Sequence, residues 1–118
     1  MELADVEVVQ RDVAPVVHVR GEIDLSNTEA IRAEVVAALP HGAPGIVLDL
    51  TETTYLDSSG VRLLFDLAER LQSRRQRLVL VVTEAALVRR VLVLTKLDDA
   101  VPIHETETDA LASLATLT

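Results

Sequence analysis

Residues 46–64 read IVLDLTETTYLDSSGVRLL. The first five, IVLDL, form a nearly continuous apolar run, the pattern of a central strand covered on both faces. From Val61 the spacing changes. Val61, Leu64, Phe65, Ala68 and Leu71 fall on one helical stripe, which Leu63 and Leu67 widen. A buried strand followed by an amphipathic helix is the repeating unit of an α/β sheet. Between the two lie Asp57, Ser58, Ser59 and Gly60: an acid, two hydroxyls and a glycine. At a strand-to-helix junction such residues form an ordinary N-cap, because a side-chain oxygen satisfies amides that the helix leaves free. Leu56 and Val61 flank them like a hydrophobic staple. The same position also suits the addition and removal of charge at a positive helix end. These residues alone support both readings.

The surrounding sequence extends the pattern in both directions. Residues 6–10 (VEVVQ) predict a first strand, and RDVAP turns the chain. Over residues 16–20, Val17 and Val19 alternate with His18 and Arg20, the period of a second strand, which Gly21 ends. Pro15 suits a strand start, where its missing N–H matters least. Ser26 and Glu29 have the spacing of a capping box, and Ile31, Val35, Ala38 and Leu39 continue it as a helix. Pro40, Gly42, Pro44 and Gly45 close that helix. Residues 77–82 (RLVLVV) predict another buried strand. Thr83 is the expected cap of a helix carrying Leu87, Val88, Val91 and Leu94. Residues 100–105 predict a short edge strand. Thr106 with Asp109 opens a last helix through Leu111, Leu114 and Leu117. Strands alternating with helices imply parallel pairing and right-handed crossovers, while the first two strands are close enough for an antiparallel hairpin. The expected fold class is α/β: a single domain over residues 1–118, with a mixed, mostly parallel β-sheet of about five strands and about four helices packed against it.

Composition narrows the function. Hydrophobic residues make up 49% of the 118 residues and aromatic residues only 2%, so the core is aliphatic, and the scarcity of rings argues against base-stacking platforms. The net charge of -8 gives no positive footprint for phosphates, which sets direct nucleic-acid binding aside. With no cysteine, thiol nucleophiles, disulfides and zinc–thiolate sites are impossible. The acidic start MELADVEVV lacks the basic flank of a signal peptide, and no apolar run is long enough for a membrane span, so a cytoplasmic protein without membrane contact is expected.

Catalytic signatures are missing. There is no Walker loop and no GxGxxG, and LDSSG is not the GxSxG nucleophile elbow. His18, His41 and His104 are far apart in sequence and none has an i,i+4 metal partner. Asp98 and Asp99 fit a solvated loop. The expectation is therefore no enzyme, no cofactor and no metal. With Ser58 as the N-cap, its hydroxyl lies exposed at the positive end of a helix. A phosphoryl group there adds about -1.5 to -2 charges beside Asp57 and meets free backbone amides. Gly60 lets a second protein's backbone come close.

At this point the sequence resembles the STAS-domain anti-sigma factor antagonists of bacteria, over essentially the whole chain. VRGEIDLSN (residues 19–27), IVLDLTETTYLDSSGVRLL (46–64), RLVLVV (77–82) and VLVLTKLDDAVPIHETETDAL (91–111) carry the resemblance. Lys96 departs from it, standing where the family pattern has glycine. The resemblance implies that Ser58 is the phosphate acceptor and that Ser59 shapes the helix start. It also implies a partner-binding surface of Asp24, Asp57, Ser58, Ser59, Gly60, Arg62 and Asp66. The implied partner is an anti-sigma factor with serine-kinase activity: unphosphorylated protein binds it and frees a sigma factor, phosphorylated protein lets go, and a serine phosphatase resets the cycle. Two other readings share the same surface: a STAS-like scaffold that never cycles through phosphate, in a stress-signalling or transport complex, and a small-ligand or nucleotide-binding regulatory module.

Overall fold

The structure, a computed structural model, describes residues 4–39 and 41–115. Within them the chain runs β1 (Asp5–Val9), β2 (Val16–Ile23), α1 (Thr28–Ala38), β3 (Gly45–Asp49), β4 (Thr53–Leu56), α2 (Ser58–Ser73), β5 (Arg77–Val81), α3 (Leu87–Leu94), α4 (Leu97–Ala100), β6 (Ile103–His104) and α5 (Glu107–Ala115). The sheet order is β1-β2-β3-β5-β6. The β1–β2 hairpin is antiparallel and the other pairings are parallel, as the alternation of elements predicts.

The two-residue period of the strands sorts their side chains into two cores. Val17, Val19, Ile46, Leu48, Leu78 and Leu80 point to one face, where they pack with Ile31 and Val35 of α1 and with Leu64, Leu67 and Leu71 of α2. Val16, Val47, Val79 and Val81 point to the other face, which α5 covers with Ala110 and Leu114. Every residue of β3 is buried, the result expected for a strand with helices on both sides. The first face carries α1 to α4 and holds the larger core. Its central aliphatic side chains are fully buried, each stabilising the fold by about 1.5–3 kcal/mol relative to exposure.

Several expectations are corrected. Gly21 does not end the second strand. It adopts φ +99°, forms a bulge, and lets β2 continue to Ile23. That continuation pairs in parallel with β4, a strand that the sequence reading left in the loop before α2. Asp49 accepts hydrogen bonds from the Thr51 backbone and hydroxyl, turning the chain out of β3. Thr53 Oγ1 then donates to the Val19 carbonyl and sets β4 against β2. Asp98 and Asp99, expected in a loop, lie on the short helix α4 and are exposed. Thr83 does not cap α3. That helix starts after Ala86 and buries Val88 and Leu92, leaving Leu87 and Leu94 about three-quarters exposed. The last helix opens as expected, with Thr106 Oγ1 accepting from the Asp109 amide. Pro40 and Leu117 lie outside the described residues.

Candidate functional site

The parallel pairing of β2 with β4 builds the candidate site. Ile23 is in register with Leu56, so the next residues, Asp24 and Asp57, leave the sheet side by side. The Asp57 amide donates to the Ile23 carbonyl at 3.3 Å, closing the rim. Asp57 then starts α2 directly, while Asp24 opens the turn that leads into α1.

At α2 the cap is Asp57, not Ser58. Its Oδ1 accepts from the Gly60 amide at 3.0 Å, and its carbonyl accepts from the Val61 amide at 3.0 Å. Of the first-turn amides, those of Ser58 and Ser59 remain without an acceptor among the described residues. Ser58 is the first helical residue and its side chain is exposed, while Ser59 is half-buried. With Asp57 as cap, Leu56 and Val61 take the two positions of a hydrophobic staple, and both are buried. Gly60 lies beneath them. A Cβ added there would come within 2.3 Å of Leu56 Cδ1 and 3.1 Å of Ile23 Cγ2, so the close approach requires glycine.

At α1 the expected capping box does not form. Asn27 is the N-cap, buried, and its side chain braces the turn instead: Oδ1 accepts from the Asp24 amide at 3.1 Å and Nδ2 donates to the Glu22 carbonyl at 2.8 Å. Ser26 donates from its backbone and its hydroxyl to the Asp24 carboxylate. Asp24 is therefore half-buried and engaged within its own turn.

Asp24, Asp57, Ser58, Ser59 and Gly60 thus meet on one rim. Arg62 is exposed one helical turn further along α2, on the Ser58 side. Asp66 is a turn beyond, exposed, and its Oδ2 accepts from the half-buried Arg32 at 3.1 Å, tying α2 to α1. The sequence reading did not single out Leu25 and Tyr55. Leu25, in the β2–α1 turn beside Asp24, is 77% exposed, and Tyr55, on β4, is 50% exposed. The apolar residue in the polar run DLSN was the available sign for Leu25. Tyr55 becomes visible only once β4 is recognised as a strand.

A second constellation lies on the α5 face. His18, Asp49 and Glu107 come together from β2, β3 and α5. Burial opposes ionisation of Asp49, yet hydrogen bonds from Glu107 and Thr51 hold its pKa below the ordinary carboxylate value. Glu107, hydrogen-bonded to Asp49 and partly buried, is pushed up. His18 faces the last helix.

Among the described residues no helix is long and apolar enough to cross a membrane. Residues 5–110 match the STAS domain family model. Among solved structures, an anti-sigma factor antagonist from Mycobacterium paratuberculosis is 30% identical, covering 96% of this chain and 95% of its own, with a TM-score of 0.85. The Bacillus cell-fate determinant SpoIIAA in its phosphorylated form is 26% identical over 95% of this chain and 99% of its own, with a TM-score of 0.66. An anti-sigma-factor antagonist (STAS) domain protein from Planctomyces limnophilus shares the fold at 22% identity, 96% and 99% coverage, and a TM-score of 0.76. No curated protein sequence matches the chain significantly.

Proposed function

The chain belongs to the STAS domain family, and from that premise we propose that it is an anti-sigma factor antagonist controlled by phosphorylation of Ser58. The unphosphorylated protein binds an anti-sigma factor with serine-kinase activity and thereby frees a sigma factor. The kinase partner brings ATP. The Ser58 oxygen attacks the γ-phosphorus, the bond to the ADP oxygen breaks, and the hydroxyl proton passes to a base of the partner. The phosphorylated protein is released, and a serine phosphatase returns it to the binding form. In this cycle the chain, working as one domain over residues 1–118, is a substrate and a binding module rather than a catalyst.

One observation carries the reading: Ser58 stands exposed as the first residue of α2, beside two first-turn amides that have no acceptor among the described residues. A phosphoryl group at Ser58 can be received by those amides and by the positive helix end. The same group would lie next to the carboxylates of Asp57 and Asp24. Each unit-charge pair at about 5 Å is worth roughly 1–3 kcal/mol at intermediate dielectric, enough to change a partner's affinity about tenfold to a few-hundredfold. Asp24, Asp57, Ser59, Gly60, Arg62 and Asp66 complete the proposed contact surface. The antagonist from Mycobacterium and the phosphorylated SpoIIAA, each matching nearly the full length of the chain, support the role.

The experiment is phosphopeptide mass spectrometry on protein purified from its native cells, paired with pull-downs using Ser58→Ala and Ser58→Asp as bait. Phosphate on the peptide spanning Leu56 to Arg62, with a kinase partner captured by Ser58→Ala and lost with Ser58→Asp, is the expected result. Equal capture by both variants would sink the switch.

A further inference from the structure

We propose that His18, Asp49 and Glu107 form a binding site for one divalent transition-metal ion, best suited to zinc, on the sheet face opposite α2. The site is independent of the antagonist reading.

The backbone brings three donors together from distant points of the sequence. His18 is in register with Asp49 across the β2–β3 pair, and Glu107 is the first residue of the helix that lies over them. One donor atom from each residue falls within a set no wider than 4.8 Å. His18 Nδ1 is 3.4 Å from Asp49 Oδ2, and His18 Nε2 is 3.1 Å from Glu107 Oε2; a single ion takes one of the two ring nitrogens, and the carboxylate beside the other closes the remaining gap. A tetrahedral zinc ion with bonds of about 2.0–2.2 Å needs its donors about 3.4 Å apart. The observed set therefore needs a contraction of up to about 1.4 Å, within the reach of a glutamate side chain at a helix start.

The outer contacts already orient the ligands. Asp49 Oδ1 is held by the Thr51 amide at 2.9 Å and the Thr51 hydroxyl at 2.7 Å, which turns Oδ2 toward the imidazole. Glu107 Oε1 faces Arg11 at 3.9 Å, which leaves Oε2 toward the same ring. Donors that fix one oxygen of a ligating carboxylate are the usual support of a metal site. The Asp49 side chain is only 6% exposed, so its attraction for a cation placed beside it is little screened by solvent. One imidazole and two carboxylates leave a fourth position for water, a nitrogen and oxygen donor set that zinc takes in tetrahedral geometry. The alternative occupant is a proton shared between the Glu107 and Asp49 carboxyl groups, with no metal.

The test uses full-length, tag-free protein stripped with a chelator and titrated with Zn²⁺ by calorimetry. One equivalent is expected to bind. His18→Gln and Glu107→Gln should each lower the affinity at least about a hundredfold, while His41→Gln, His104→Gln and Ser58→Ala leave it unchanged. In the unmutated protein, one equivalent of Zn²⁺ should shift the ring resonances of His18 and not those of His41 or His104, a readout that needs no variant to fold. The proposal is overturned if no binding tighter than millimolar appears, which leaves the proton-bridged cluster. It is also overturned if binding survives both substitutions, or if the His18 ring does not respond.

Discussion

At the residue scale, Asp57 has two separable roles, since it both caps α2 and sets the charge beside Ser58. Aspartate and asparagine cap about equally well, whereas alanine does not cap. Asp57→Ala should cost about 1 kcal/mol and lower Tm by a few degrees, because the Gly60 amide loses its acceptor. Asp57→Asn should keep the melting temperature while removing the charge. Differential scanning calorimetry on both variants checks this, and partner affinity of the Asn variant then reports the charge alone. Gly60→Ala exposes the other constraint. The added methyl drives into Leu56 and Ile23. Overpacking of that kind costs about 1–3 kcal/mol, and the better helix propensity of alanine returns about 1 kcal/mol. Urea denaturation should show a net loss of up to about 2 kcal/mol. The rim was legible in the sequence as a set of residues, but its cap was assigned one position late. Serine and aspartate are equivalent in capping preference. What decides between them is where the preceding strand stops, and that depends on the pairing of Leu56 with Ile23.

At the element scale the same lesson recurs wherever tertiary contacts compete with local signals. Ser26 and Glu29 have capping-box spacing, but the buried amide of Asn27 holds the turn between Glu22 and Asp24, and Ser26 turns to the Asp24 carboxylate. Asn27→Ala should therefore cost about 2–3 kcal/mol by leaving two partly buried backbone groups unpaired, and Ser26→Ala no more than about 0.5 kcal/mol as a surface change. Equal losses in thermal unfolding would contradict this arrangement. The strands of the central sheet and four of the helices were readable because their apolar periods are long or continuous. Strand β4 was not, since its four residues TTYL are half exposed and follow a turn. Helix α4 is one turn long and carries two adjacent aspartates, so it has no amphipathic period to detect. Lys96, between α3 and α4, takes the left-handed conformation, φ +62°. That conformation costs a side-chain-bearing residue about 1–2 kcal/mol, and glycine gives back part of this in unfolded-state entropy. Lys96→Gly should raise stability by about 0.5–1 kcal/mol, measurable as a higher urea midpoint at unchanged slope.

At the scale of the whole molecule, the sheet separates two unequal cores, with the Ser58 rim on the α1–α4 side and the His18 cluster under α5. The rim is built where two parallel strands end, on groups already held by their own turns: Asp57 by Gly60, Asp24 by Ser26, Asn27 by Glu22. In the proposed cycle a phosphoryl group at Ser58 would find beside it amides without an acceptor among the described residues, so its arrival would require no element to move. The added charge acts on whatever approaches the rim, not on the sheet beneath. Hydrogen exchange of the phosphorylated and unphosphorylated proteins should therefore differ only in the β2–α1 turn and the first turn of α2. The amides of β3 and β5, which pair with each other at the centre of the sheet, and those of α5 should exchange at the same rates in both forms. Altered protection in β3, β5 or α5 would show that phosphorylation acts through a second global conformation, and partner release would then follow from a population shift rather than from repulsion at the contact surface.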